Sequence, residues 1–402
     1  MPGQAVLTLR NARTWEDGLL SRRDLAVAGG RVTAVGAPGA VGSGDREVDL
    51  EERVLLPALV NGHDHLDLST FPPLGRPPYV SAQEWAGALV GEPAAARALG
   101  VPLADRLFLG GVRNLLSGVT AVVHHGPFHR SLARSGFPVR VLARYGFAHS
   151  PRLTPHLRKT YRTTDRRIPW FVHVAEGTDE QSRGELAALI DANVLRPNTV
   201  VIHGVGLGAE DAARMAEAQA CLVWCPEANR RLYGATAPLS LFRSAGVRVG
   251  LGSDSPLTGA RDALSNLAAA RGEGLGEVEL MALATRETAE VARLPVGGFL
   301  VGAPADFVAV DAWERLLEGD RRTLSLVVAA GRPLYGAPSL MDAAAPGGLG
   351  MVVEGQVRRI DKDVGRKLQR LLTAHPGLAA PWLLGISFPP DPAGKPPDEA
   401  RA

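Results

Sequence analysis

The chain has 402 residues, of which 46% are apolar, and its formal net charge is +2. A chain of this length is expected to form two or three domains, or one large barrel with an attached domain. Its charges are dispersed rather than grouped, which argues against a nucleic-acid partner or an anionic membrane surface.

The sequence also indicates a compartment. No apolar run reaches the ~18 residues that a membrane span needs, and the N-terminus lacks the layout of a signal peptide. If Cys221 and Cys225 share a strand, they lie too far apart for a disulfide, which fits a reducing environment. We therefore expect a cytoplasmic protein that acts on a small molecule, and a homodimer is left open.

Residues 1–53 carry short β-rich runs, and Gly29-Gly30 between two of them predicts a tight hairpin turn. From Val54 onward, apolar strands alternate with amphipathic helices, which is typical of a parallel α/β fold. The strands predicted in this segment are 55–65, 120–124, 139–145, 170–174, 199–203, 220–224 and 247–252. An eighth strand is expected within 149–165, where turn-forming residues obscure the pattern.

The chain becomes β-rich again after Leu294. Each β-rich end alone has too few strands to bury a core, so we expect the two ends to pack together. The predicted fold class is α/β, a (β/α)8 TIM-type barrel with a small β-sandwich built from both chain ends. The predicted boundaries are 54–296 for the barrel, 1–53 with 297–360 for the sandwich, and 361–402 for a helix and an irregular proline-rich tail.

Several polar residues lie where the predicted strands end. In the run VLLPALVNGHDHLDLS, His63 and His65 are two residues apart, so a strand would point both side chains to one face. His173, His203 and Asp254 end three later strands. In a TIM-type barrel all strands end on the face that carries the active site, so these five side chains are expected to converge.

The expected cluster has the composition of a metal centre. Imidazole nitrogens and one carboxylate suit zinc or ferrous iron, with an open coordination position for water. Glu176 follows His173 by three residues and is the candidate for proton transfer. Any one of these residues alone is more often a hydrogen-bonded core residue or a helix cap. The convergence of six of them on one predicted face is poorly explained in that way.

At these positions the chain resembles the amidohydrolase superfamily, and within it the group of cytosine and guanine deaminases, adenosine-type deaminases of this fold and triazine chlorohydrolases. The matching motifs are LPALVNGHDHLDLS, FVHVAEGTDE, VVIHGVGL, WCPEANRRLYG, PLSLFRSAGVRVGLGSDSPLTG and GFLVGAPADFVAVD. The resemblance implies catalytic roles for Glu176, His203 and Asp254. The metal ligands that it implies are His63, His65, His173 and Asp254.

Three departures from the family pattern limit what the resemblance implies. Members with two metals use a carboxylated lysine on the fourth strand, whereas the only lysine in that region here is Lys159, in a polar stretch. We therefore expect one divalent metal, with zinc preferred and iron as the alternative. The usual CPxSN motif reads CPEAN, with Glu227 and Ala228 departing. The interval between His65 and His173 is short, and because it supplies much of the pocket, the substrate is not assigned by analogy.

The predicted function is metal-dependent hydrolysis of a C–N bond. A metal-bound hydroxide would deaminate a heteroaromatic ring amine of the purine, pyrimidine, pterin or triazine type. A cyclic amide hydrolase or a chlorohydrolase on the same scaffold is the alternative. An inactive barrel used as a binding protein, and a metal-free barrel that pairs Glu176 with Asp254, are the rival interpretations.

Overall fold

Both ends of the chain consist mainly of strands. Between the two ends, strands alternate with helices. The computed structural model describes residues 5–295 and 297–389, so the predicted irregular tail, which starts at residue 376, lies outside the described residues from 390 onward. In its described part, Ile386–Ser387 forms a short strand that pairs with Val352 and Val353. The strands are β1 Leu7–Glu16, β2 Leu19–Ala28, β3 Arg31–Gly36, β4 Arg46–Asp49, β5 Val54–Pro57, β6 Leu59–Asp64, β7 Val119–His124, β8 Arg140–Val141, β9 Gly146–Ala148, β10 Trp170–Val174, β11 Thr199–His203, β12 Cys221–Trp224, β13 Arg248–Leu251, β14 Phe307–Val310, β15 Leu324–Ala329, β16 Arg332–Gly336, β17 Leu349–Val353, β18 Gln356–Ile360 and β19 Ile386–Ser387.

Helices fill the intervals between the barrel strands. In the C-terminal part they lie between strands and after β18. They are α1 Ala82–Ala88, α2 Pro93–Leu99, α3 Leu103–Leu115, α4 Leu157–Arg162, α5 Glu180–Arg183, α6 Glu185–Asp191, α7 Ala209–Glu217, α8 Pro226–Tyr233, α9 Leu239–Ser244, α10 Ala263–Gly272, α11 Glu277–Ala282, α12 Thr288–Ala292, α13 Trp313–Leu317, α14 Pro338–Ala344 and α15 Lys362–Ala374. A π-helical turn, Leu283–Glu287, joins α11 to α12. Within residues 5–295 and 297–389, none of these helices has the length and apolar character that crossing a bilayer requires.

Both ends of the chain contribute to one sheet, which has eleven strands within the described residues. Its order is β19-β17-β18-β16-β15-β14-β5-β1-β2-β3, and β4 pairs with β1. The connection between the two ends is β5, which pairs parallel with β1 and antiparallel with β14. Leu9, Leu25, Phe307 and Leu326 are buried together in the core of this sheet.

Eight parallel strands in the described part of the chain, β6 to β13, form the barrel. They pair in two groups, β6-β7-β8 and β9 to β13. Next to the ends of β6 and β13, the Asp254 amide donates to the His63 carbonyl at 3.0 Å. Phe171, Ile202 and Val223 are buried inside one barrel core. The predicted fold class, a TIM-type barrel with a β domain from both chain ends, is confirmed.

The eighth barrel strand lies earlier in the chain than predicted. Its expected position within 149–165 is wrong, because helix α4 occupies part of that interval. The predicted strand 139–145 is instead replaced by two short strands, β8, which pairs with β7, and β9, which pairs with β10. Strands of two and three residues are too short for periodicity in the sequence to separate them.

The predicted strand 55–65 also divides into two. β5 ends at Pro57 and belongs to the eleven-stranded sheet, while β6 begins at Leu59 and belongs to the barrel. The pairing of β6 with β7 then shifts register between Asn61 and Asp64. Such a bulge changes the direction in which the following side chains point. The bulge includes His63 and precedes His65, so it helps to set the direction of both side chains.

Candidate metal centre and proton-transfer site

Four side chains with electron-pair donors meet at the C-terminal ends of the barrel strands. Nε2 of His63 lies 3.3 Å from Nε2 of His173 and 3.6 Å from Oδ1 of Asp254. Nε2 of His65 lies 3.8 Å from the same Asp254 oxygen. Ligand atoms of His63, His65 and His173 all lie within 4.8 Å of one another. The structure therefore brings together the four residues that the resemblance implies as metal ligands.

The electrostatics of this cluster suit a cation. Burial lowers the pKa of both His65 and His173, so their imidazoles are neutral at physiological pH and can offer lone pairs. Burial by itself raises the pKa of Asp254, but the hydrogen bond from His63 and the neighbouring histidines outweigh it and hold that pKa below its usual range. The nitrogen and oxygen atoms of this cluster thus lie at distances that a shared proton or a bound cation can bridge. Three nitrogens and one oxygen are donors that zinc or iron accepts.

Residues at the ends of three barrel strands have left-handed backbone conformations. The φ angles are +54° at Ala175, +73° at His203 and +56° at Asp254. These conformations are unfavourable for non-glycine residues and are found where the surrounding structure holds them, often at functional sites. Here the Ala175 amide donates to the Glu185 carboxylate at 2.7 Å, and the Asp254 amide donates to the His63 carbonyl.

His203 and Glu176 form a second pair beside the four donors. His203 Nε2 lies 3.7 Å from Glu176 Oε1, and His203 also has a ligand atom within 4.8 Å of those of His63 and Asp254. On its other side, Nδ1 of His203 is 2.9 Å from the side-chain oxygen of Asn229. That oxygen accepts a hydrogen bond, so Nδ1 carries a proton and Nε2 is the ring nitrogen that faces Glu176. The pair can therefore exchange protons with a molecule bound in the mouth.

A buried polar network connects α3 to the ends of the barrel strands. The Arg113 guanidinium on α3 lies 2.6 Å from the Asp64 carboxylate and donates to the Asp254 carbonyl at 3.0 Å. Asn114 and Asn61 donate to the same Asp64 oxygen at 2.7 and 3.1 Å. This network connects the chain at the histidine pair to the chain at Asp254. The sequence analysis assigned no role to Asp64 or Arg113.

Comparison with known sequences agrees with this geometry. A profile of the Amidohydrolase family matches residues 163–339, which include His173, Glu176, His203 and Asp254. Over this part of its length the chain resembles the amidohydrolase superfamily.

Known relatives align with part of the chain. The 5-methylthioadenosine/S-adenosylhomocysteine deaminase of Haloquadratum walsbyi is 30% identical over 166 residues, which cover 36% of this chain and 36% of the relative. The 8-oxoguanine deaminase of Pseudomonas aeruginosa is 27% identical over 203 residues, 48% of this chain and 42% of the relative. The matches thus span less than half the length of these relatives.

A solved structure is similar over most of the chain. The adenosine deaminase of Xanthomonas campestris with bound zinc superposes with a TM-score of 0.62 and 18% identity, covering 93% of this chain and 100% of that one. At this level of identity the likeness shows the fold alone.

Two further histidines lie against the donor cluster. The His125 ring stacks on that of His173, with centroids 4.2 Å apart and planes at 18°, and the His149 ring meets His173 edge-on at 5.1 Å. His149 directly follows β9, the strand that periodicity did not reveal, so the sequence analysis could not place it at a strand end. His125 follows β7, and its position after a predicted strand was the available signal.

A tyrosine also contacts the proton-transfer pair and was missed by the sequence analysis. The Tyr233 hydroxyl donates to Glu176 Oε1 at 2.8 Å. Tyr233 lies four residues after Asn229 on α8, so both side chains share one helix face. This spacing within the motif WCPEANRRLYG was the signal that could have identified it.

Proposed function

We propose that this protein is a metal-dependent hydrolase that deaminates a heteroaromatic ring amine, with purine-like compounds as the favoured substrate class. The observation that carries the proposal is the convergence of four metal donors with a separate carboxylate, Glu176, and a separate imidazole, His203. Both relatives described above are deaminases, and the compounds in their names carry a purine ring. That shared ring supports the purine-like class.

The residues that would hold the metal are His63, His65, His173 and Asp254. A divalent cation bound there would supply Lewis acidity, which lowers the pKa of a coordinated water towards ~7. One ion per chain is proposed, because the fourth barrel strand, β9, contains no lysine and Lys159 lies on α4 instead. Zinc is preferred over iron, and the bound zinc in the Xanthomonas campestris structure supports this preference.

The remaining groups move protons. His203 and Asp254 would accept the first proton that the water loses as its oxygen bonds to the ring carbon. That proton would pass through the Glu176 carboxylate to the adjacent ring nitrogen, so that negative charge does not accumulate there. The second proton of the same oxygen would then pass through Glu176 to the amine as the C–N bond breaks. The products are ammonia and a ring carbonyl. General acid–base catalysis of this kind contributes about 10²–10⁴-fold to a rate.

An ammonia-release screen over purines, pyrimidines, pterins and triazines tests the proposal. Product identification in heavy-oxygen water then fixes the reaction, because conversion of ring C–NH2 to labelled ring C=O is the expected result. Ring opening with the amine retained would indicate a cyclic amide hydrolase, and chloride release would indicate a chlorohydrolase. A protein that binds no metal and turns over no compound would favour the binding-protein interpretation.

The screen needs a matched control for the loss of one carboxylate. Glu180→Gln makes the same chemical change as Glu176→Gln, but at an exposed position on α5. Ammonia release that survives Glu180→Gln and is lost in Glu176→Gln belongs to the barrel mouth rather than to a contaminating enzyme.

A further inference from the structure

The two carboxylate oxygens of Glu176 have different surroundings. Oε1 accepts the hydrogen bond from the Tyr233 hydroxyl at 2.8 Å and lies 3.7 Å from His203 Nε2. Oε2 accepts no hydrogen bond from any residue that the structure describes. Glu176 is 9% exposed and Tyr233 is 5% exposed, so water competes little for the Oε1 bond. One oxygen is therefore held by the protein and the other is left for a ligand.

Helix α8 holds both members of the proton-transfer pair. Asn229 on its first turns binds His203, and Tyr233, four residues later, binds Glu176. Burial, followed by the charge of the Glu176 carboxylate, raises the pKa of Tyr233 well above its usual value. The hydroxyl consequently stays protonated at any physiological pH and remains a donor.

The chain at the start of α1 packs against Glu176 and against the end of α8. The Tyr79 amide donates to the Leu232 carbonyl at 2.7 Å, and the Ala82 amide donates to the Glu176 carbonyl at 2.9 Å. Tyr79 and Tyr233 belong to one buried apolar cluster. The main chain of Glu176 and the helix that carries Tyr233 are thus held by one stretch of chain, which fixes the distance between them.

We propose that Tyr233 is a positioning residue that fixes Oε1 of Glu176, and so makes Oε2 the atom that exchanges protons with substrate. The proposal rests on the proton-transfer role of Glu176 in the proposed function. Among the described residues, the Tyr233 hydroxyl donates to Glu176 and to none of the four metal donors. This hydroxyl should therefore affect turnover and leave the affinity for metal and substrate unchanged.

Tyr233→Phe removes the hydroxyl and keeps the buried ring. A hydrogen bond to a charged group is worth enough to predict a fall in kcat of about 10–100-fold, with KM and zinc content close to those of the wild type. Tyr161→Phe is the matched control. It also removes a buried tyrosine hydroxyl, which donates to the Asn198 side chain at 2.8 Å rather than to Glu176. It should leave kcat unchanged.

A double-mutant cycle separates positioning from a general structural role. In a Glu176→Gln background, Tyr233→Phe should produce little further loss of kcat, because the carboxylate that it orients is already absent. If the fold-losses in kcat of Tyr233→Phe and Glu176→Gln multiply in the double variant, the proposal is overturned. An unchanged kcat in Tyr233→Phe alone would also overturn it.

Crystal structures of the zinc-loaded wild type and of Tyr233→Phe test the positioning without any substrate. The wild type should show one Glu176 carboxylate orientation with Oε1 on the Tyr233 hydroxyl, and the variant should show a rotated or divided carboxylate. An identical carboxylate in both, or a wild-type hydroxyl directed away from Glu176, would overturn the proposal. If the wild type deaminates no ring amine, the proposed function fails, and the two structures still decide whether Tyr233 orients Glu176.

Discussion

Removing the Arg113 guanidinium is expected to destabilise the barrel strongly. Its side chain is 1% exposed and that of Asp64 is 0% exposed, with the charged groups 2.6 Å apart. Arg113 also donates to the Asp254 carbonyl. Arg113→Met keeps much of the apolar stem but leaves Asp64 as a buried carboxylate without a counter-charge.

The expected loss follows from the cost of an unpaired buried charge. Removing one partner of a buried ion pair typically costs about 3–5 kcal/mol. Burial raises the pKa of Asp64 even though Arg113 and Asn114 oppose that rise. The folded variant should therefore bind a proton at Asp64 more readily than the unfolded chain does. Because of this linkage its stability should be highest at low pH and should fall as pH rises.

Urea unfolding of the metal-free protein at pH 8 measures the effect without a contribution from bound metal. Arg113→Met should lose about 3 kcal/mol or more, and the double variant with Asp64→Asn should recover much of that loss because both charges are gone. The control Arg214→Met removes an exposed pair with Glu210, whose side chains are 52% and 81% exposed. It should cost less than about 0.5 kcal/mol. A loss below about 1 kcal/mol in Arg113→Met, or additive losses in the double variant, would refute the reasoning.

Three further predictions concern the metal, the proton-transfer residue Glu176, and Glu227, which departs from the usual CPxSN motif. Elemental analysis should find one metal per chain and little in His63→Ala, and a firm two per chain would contradict the single-metal site. Glu176→Gln should keep the metal and lose about 10²-fold or more in kcat, so full activity on the true substrate would exclude its acid–base role. Burial raises the pKa of Glu227 to about 7, despite the hydrogen bond from Ser265 at 2.6 Å. A raised carboxyl pKa destabilises the folded state as pH rises towards 7, so Glu227→Gln should stabilise the protein by about 2 kcal/mol at pH 8 and by much less at pH 5. Equal changes in urea midpoint at both pH values would contradict this prediction.

The alternation of strands and helices was sufficient to predict the barrel and the residues at its mouth. A parallel barrel places every strand end on one face, so His173, His203 and Asp254 could be assigned to a common site from their positions after apolar runs. The same argument requires that the strands be long enough to recognise. β8 and β9 have two and three residues, and His149, which follows β9, was therefore not assigned.

Contacts between distant residues were decided only by the tertiary structure. A periodic pattern reports which face of one element is buried, but it does not show what that face meets. Arg113 and Asp254 are 141 positions apart, and Glu176 and Tyr233 are 57 apart. The local sequence of Arg113 or Asp254 does not distinguish their bond from a solvent contact. The spacing of Asn229 and Tyr233 indicates a shared helix face, but it does not show that Tyr233 meets Glu176. The donor types at the site follow from the sequence, whereas the groups that orient them depend on how α3 and α8 pack against the strand ends, because a hydrogen bond requires a distance that only the folded chain sets.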